Sequence, residues 1–145
     1  MFEFVSNFSH TGIAGACFNN AVGVADPGII PDNQISAYSY VSSNFYPYYG
    51  RLRGTRGYGW CAATCCNNQT WLQVDLGRTI EICGVATQGH RTGSYWVMEF
   101  KLSYSSDGNV WNTYLDADST EKVIFNEINT MPCAFVGVFF LLTSI

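Results

Sequence analysis

Charge is what this chain has least of. Charged residues fill 12% of its 145 positions, about half the share found in an average soluble domain, which is roughly 25%. Seven Lys and Arg stand against eleven Asp and Glu, a net charge of −4, so there is no basic field to gather a polyanion, which argues against nucleic acid as a partner. Histidine is scarce: His10 and His90 are the two in the chain. With so few, and without the repeated close cysteine pairs of a zinc site, no metal is expected, and neither calcium nor any other cofactor finds support. No apolar run approaches the roughly 20 residues of a membrane-spanning helix. The longest, Cys133 to Leu142, is ten residues, and membrane contact is expected to be peripheral at most. Residues 1–15 have neither the basic start nor the apolar stretch of about seven to fifteen residues that marks a signal peptide, so secretion would need a preceding segment. No stretch shows a helical period over eleven or more residues.

Against these absences stand 48% hydrophobic and 16% aromatic residues, which exclude disorder. The length suits one domain able to bury about 70% of its unfolded surface. Six cysteines and two glycosylation sequons, at Asn7 and Asn68, point to an extracellular, disulfide-permissive setting.

The hydrophobic pattern has the period of β-strands. Between Val97 and Ser105, Met98, Phe100, Leu102 and Tyr104 alternate with Glu99, Lys101 and Ser103, as in a half-buried strand. Asp107-Gly108 then predicts a tight turn, with Val110 to Tyr114 as the return strand. Leu72, Val74 and Leu76 alternate with Gln73 and Asp75 up to Gly77, and a further strand is expected over Ile80 to Thr87. Short strands between turn residues indicate an all-β sandwich or barrel. From Tyr38 to Trp60 the chain instead carries six Tyr, one Phe and one Trp, punctuated by Pro, Gly and three of the seven basic residues, Arg51, Arg53 and Arg56. That composition reads as an extended aromatic loop.

The segments Asp32-Asn33-Gln34-Ile35-Ser36-Ala37, Tyr49-Gly50-Arg51-Leu52, Gly59-Trp60-Cys61, Trp71 to Gly77, Gly84 to Gly89, Phe100 to Ser105 and Asp107-Gly108 with Trp111 occur in an order and spacing that resembles the discoidin, or coagulation factor V/VIII type C, domain. The resemblance implies a discoidin-type jelly-roll β-sandwich with ligand-binding loops projecting from one end. It covers residues 17–130, after an N-terminal segment at 1–16. Residues 131–145 form an apolar tail without the family's closing pattern, so the domain is expected to lack its last strands. The resemblance also implies that Cys17 loses its usual partner, for which Cys133 is the substitute on offer. A Cys61–Cys83 disulfide is expected separately, because these two flank the Trp71 strand. Trp71, Val74, Leu76, Phe100, Leu102 and Trp111 are expected to face the core.

No catalytic constellation emerges. Asp75 is a lone carboxylate, better suited to turn hydrogen bonds than to acid–base work, and His90 lacks an orienting third group beside any cysteine. The chain therefore reads as a non-enzymatic extracellular or cell-surface recognition module for adhesion or surface attachment, part of a larger secreted protein. Its expected partners are an anionic phospholipid, a cell-surface glycan or an extracellular protein. The contact candidates are Asn44, Phe45, Tyr46, Arg53 and Arg56 in the aromatic loop, with His90, Arg91 and Tyr95 in a second loop; Phe45 and Tyr46 are placed near the tip. Arg51, inside a framework motif, is assigned to structure. Two other readings fit the same features: a carbohydrate-binding accessory module of a larger enzyme, and a truncated fragment without function.

Overall fold

In the computed structural model, which describes residues 2–6, 20–63, 70–78, 80, 82–90, 93, 97, 99–115, 123–125 and 136–142, the alternating segments become strands. In chain order these are β1 (Phe2–Ser6), β2 (Asn20–Ala21), β3 (Ile35–Ala37), β4 (Trp71–Asp75), β5 (Ile82–Thr87), β6 (Glu99–Ser105), β7 (Asn112–Thr113), β8 (Val123–Phe125) and β9 (Val136–Leu142). One sheet runs β2-β1-β5 and the other β3-β4-β9-β6-β7, with β8 also on β6. Leu72, Val74 and Leu76 of the β4 region, Phe100 of β6 and Ile35 of β3 bury one face together with Val22, Val24 and Ile30, and Ile82 and Val85 of β5 pack against them. Side chains from both sheets thus meet in one core, the arrangement of a β-sandwich. No described helix is long and apolar enough to cross a membrane.

The period of two holds in β4, where burial alternates along Trp71–Asp75. It therefore places Trp71 on the face away from Leu72 and Val74, half-buried rather than in the core. Trp111 is also half-buried, its Nε1 donating to the Gly108 carbonyl at 3.2 Å. β6 departs from the half-buried pattern: Ser103 and Ser105, on the face expected to be polar and wet, are 6% and 0% exposed. Ser105 is buried because its hydroxyl organises the following turn, donating to Asp107 Oδ1 at 3.0 Å and accepting from the Gly108 N–H at 2.9 Å. Asp107 Oδ1 also accepts from the N–H groups of Asn109 and Val110. Backbone bonds from Val110 and Asn109, with the Ser105 hydroxyl, hold its carboxyl below the usual aspartate value. Gly108 takes φ +73°, as a tight β6–β7 connection requires.

Directions of the strands place the loops. β3 pairs antiparallel with β4, Ala37 opposite Leu72, so the aromatic segment leaves the sheet beside the start of β4. β9 is parallel to both β4 and β6, so the segment leading into β6, with His90, Gly93 and Val97, arrives at the same end. The Asp107 turn lies at the opposite end.

β9 comes from the apolar tail, which does not carry the family's closing pattern. Its Val138 lies opposite Trp71 on one side and Lys101 on the other, and without it β3-β4 would be parted from β6 and its partners. A run of apolar residues on every position suits a strand enclosed on both sides. Val138→Pro removes a donor from the centre of this sheet and leaves a carbonyl without its partner. Urea unfolding should show a loss of about 1–3 kcal/mol; an unchanged midpoint would make the tail an appendage.

Candidate functional site

The aromatic segment is closed onto itself by backbone bonds. Tyr38 N–H donates to Trp71 O at 3.0 Å, Val41 N–H to Cys61 O at 2.9 Å and Tyr58 N–H to Asn44 O at 3.0 Å. Trp60 Nε1 donates to Ser39 O at 3.0 Å. Residues 38–44 therefore run beside 58–63, and the far part, 45–57, is compacted by two 3-10 turns, Ser43–Phe45 and Pro47–Gly50. Gly57, at φ +60°, lies against the Tyr49 ring, where an added Cβ would collide with Tyr49 Cδ2.

Within this frame the rings form two groups of contacts. Tyr46 meets Tyr40, Tyr48 and Tyr49 at centroid distances of 4.9, 5.3 and 5.8 Å. Phe45 meets Tyr58 at 5.6 Å, and Tyr58 meets His90 at 5.8 Å, joining the second loop to the first. Phe45 and Tyr46, expected at the tip, are half-buried; Phe45 packs against Cys61 and Ala62. Within this segment the exposed large apolar groups are instead Tyr38 (48%), Tyr40 (43%), Val41 (53%) and Tyr58 (53%); among the described residues outside it, Ile29, Val110, Tyr114 and Leu115 are exposed as well. Asn44 is exposed, and its carbonyl is the Tyr58 acceptor. Burial raises the Tyr48 phenol above its ordinary value, reinforced by Tyr49 and Tyr46.

Three arginines in this segment have different roles. Arg51 is buried: Nη1 donates to Val24 O, and Nη2 to Ile30 O at 2.7 Å and to Asp32 Oδ1 at 2.8 Å. Arg56 is exposed but tethered, with Nη2 at 2.9 and 2.7 Å from the two Asp32 carboxylate oxygens and its guanidinium 5.5 and 5.8 Å from the Tyr48 and Tyr49 centroids. Burial alone would raise the Asp32 carboxyl, but hydrogen bonds from Arg56 and Arg51 outweigh it and hold the group below its ordinary value. The hydrogen bond to Asp32 likewise raises Arg56 above the ordinary arginine value. Arg53 is exposed, at φ +56°, with its backbone N–H donating to Gln88 Oε1 at 3.0 Å.

The structure thus brings Asn44, Phe45, Tyr46, Arg53, Arg56 and His90 into one neighbourhood. Arg91 and Tyr95 lie outside the described residues, as do Cys17 and Cys133. Cys61 is buried, its Sγ 3.9 Å from Ala62 O; the expected bridge to Cys83 involves a side chain outside those described. Cys61 belongs to the small cluster with Ala62, Phe45, Trp60 and Val97, and Cys83 lies within β5. Asp32, Tyr40, Val41 and Tyr58 were not singled out by sequence. Asp32 had a signal, as the acidic residue opening a framework motif; the other three had only membership of the aromatic segment.

Chemically this end offers contact surface rather than reactive groups. Among the described residues no three metal-ligating side chains cluster. Asp75 caps its own turn, accepting from Gly77 N–H at 2.7 Å.

Comparison with known proteins agrees with this architecture. The F5/8 type C domain family model matches residues 34–134. Neuropilin-1 from Gallus gallus is 36% identical over 107 residues, 71% of this chain and 12% of its own length. Lactadherin from Bos taurus is 33% identical over 104 residues, 66% of this chain and 24% of its own. EGF-like repeat and discoidin I-like domain-containing protein 3 from Mus musculus is 36% identical over 118 residues, covering 74% and 24%. The chain therefore spans at most about a quarter of the length of these relatives.

Proposed function

The chain belongs to the F5/8 type C domain family, and from that membership we propose that it is a non-catalytic recognition module of an extracellular or cell-surface protein, serving adhesion through the aromatic end of its sandwich. The observation that carries this reading is the exposure of Tyr38, Tyr40, Val41 and Tyr58 at one end of the fold, on a backing of half-buried rings. Exposed apolar groups gathered in this way mark a binding surface.

The target is a phospholipid surface. Tyrosine suits the lipid–water interface, where its ring is buried and its hydroxyl stays wet. Val41 favours lipid over sugar, because a branched aliphatic group gains from apolar surroundings but offers a sugar neither a flat stacking face nor a hydrogen bond. Exposed Arg53 supplies a cation for an anionic headgroup, while Arg56 is largely neutralised by Asp32.

The test is a titration with phosphatidylcholine vesicles, with and without phosphatidylserine, beside a thermal melt. Replacing Tyr40, Val41 and Tyr58 together by Ser should weaken binding at least about tenfold, since apolar anchors dominate such contacts, while stability changes little, as at other surface sites. Undiminished binding by the folded variant would remove these residues from the site. Binding to a glycan panel but not to vesicles would replace the lipid target.

A further inference from the structure

Arg53 holds a backbone conformation that its residue type disfavours. The Gly54 N–H donates to Arg51 O at 3.1 Å, closing a turn over residues 51–54. Arg53, at φ +56°, forms the second corner, where such a turn ordinarily carries glycine or asparagine. The side chain here is nevertheless a long cation, and contacts on two sides hold the corner in place. On one side Arg51 anchors the turn to the core through the Val24 and Ile30 carbonyls and Asp32. On the other, the Arg53 N–H donates to Gln88 Oε1 at 3.0 Å, across 35 positions of sequence. Gln88 follows the end of β5 and precedes His90, whose ring is 5.8 Å from that of the exposed Tyr58. The stretch 88–90 thus touches both the cationic corner and an exposed ring. Arg51 and Arg56 share Asp32, whereas the exposed Arg53 has no carboxylate partner among the described residues.

We propose that Gln88 is a positioning residue for Arg53: it holds the strained corner so that the guanidinium is presented on the same rim as Tyr58, and this arrangement selects anionic over zwitterionic phospholipid. The inference rests on the phospholipid reading above. Phosphatidylcholine carries a phosphate balanced by its own choline, whereas phosphatidylserine adds a carboxylate and is negative overall. A guanidinium can take a carboxylate or a phosphate through two parallel N–H bonds. The chain's net charge of −4 gives no long-range attraction to a negative surface, so discrimination falls to a local cation. Without the Gln88 acceptor the corner can relax to negative φ, and the cation must then be ordered at each binding event, which lowers its contribution. Strain of this kind persists where the surroundings over-determine it, and it clusters at binding sites.

The experiment measures affinity for phosphatidylcholine vesicles with and without phosphatidylserine, read as the ratio of the two, beside a thermal melt. The native chain should prefer the serine-containing vesicles, and added salt should reduce that preference. Gln88→Leu keeps Arg53 but removes the acceptor, and the ratio should fall about three- to tenfold, the equivalent of one hydrogen bond. Arg53→Gly suits the corner and removes the cation; its ratio should fall at least as far while the chain stays folded. In the Arg53→Gly background, Gln88→Leu should change the ratio no further, because it acts through the missing side chain. A native ratio in either single variant overturns the proposal. So does a Gln88→Leu effect of equal size in the Arg53→Gly background, which a merely structural loss would give. Native binding that is equal on the two vesicles overturns the selectivity and leaves the lipid target standing. Absence of binding to both overturns the lipid target, and the selectivity with it.

Discussion

Phe100→Ala lowers the unfolding free energy by about 3–5 kcal/mol, a large part of the roughly 5–15 kcal/mol that holds a domain together. The size of the effect follows from position. Phe100 is 1% exposed and sits in β6, between β9 on one side and β7 and β8 on the other. Its ring joins the cluster formed by Leu72, Val74, Val24 and Ile30, so truncation leaves a cavity walled by strands that cannot close over it. Urea unfolding should show a lower midpoint with an unchanged slope. A loss below about 1 kcal/mol would mean that the core does not lie where β4, β5 and β6 face one another.

Arg51→Met should cost a similar amount, about 3–5 kcal/mol, as expected when one member of a buried ion pair is removed. Met keeps much of the apolar stem but leaves the Val24 and Ile30 carbonyls without their donor, and Asp32 with Arg56 alone. Arg51→Lys should recover part of the loss, since an ammonium cannot reproduce the fork that spans two carbonyls and a carboxylate. Asp32 adds a pH signature. Its folded value lies below the ordinary 3.8, because the hydrogen bonds from Arg56 and Arg51 outweigh burial. The stability it contributes is therefore present above 3.8 and fades as pH falls through the lower folded value. Asp32→Asn should flatten that part of the acid limb. Partial exposure of the Asp32–Arg56 pair screens its share, which leaves Arg51 as the dominant partner.

β4, β6 and the Asp107 turn could be read from sequence because one strong local rule governs each: alternation in the first two, the positive φ of Gly108 in the third. β1 and β9 could not. β1 is specified by a partner far along the chain, with Phe2 opposite Thr87, and no local signal records that pairing. β9 is apolar at every position, which removes the alternation that marks a strand exposed on one side. The aromatic segment was legible as a loop system apart from the strands, and Arg51 as a structural residue. The identity of the exposed rings was not, because tertiary contacts decide it. Phe45 is drawn inward by Cys61 and Ala62, while Val41 is turned outward beside a backbone bond to Cys61. Arg56 looked like a free cation in sequence, and its tether to Asp32 spans 24 positions.

Hydrogen–deuterium exchange of the intact chain, with and without phosphatidylserine-containing vesicles, tests most directly whether the aromatic end is the recognition surface. Protection on binding should concentrate in residues 38–61 and 88–93, at the end of the sandwich where β4 and β6 begin, and should leave the turn at 105–111 unchanged. Protection centred on 105–111, at the opposite end, with residues 38–61 exchanging as in the free chain, would contradict the account.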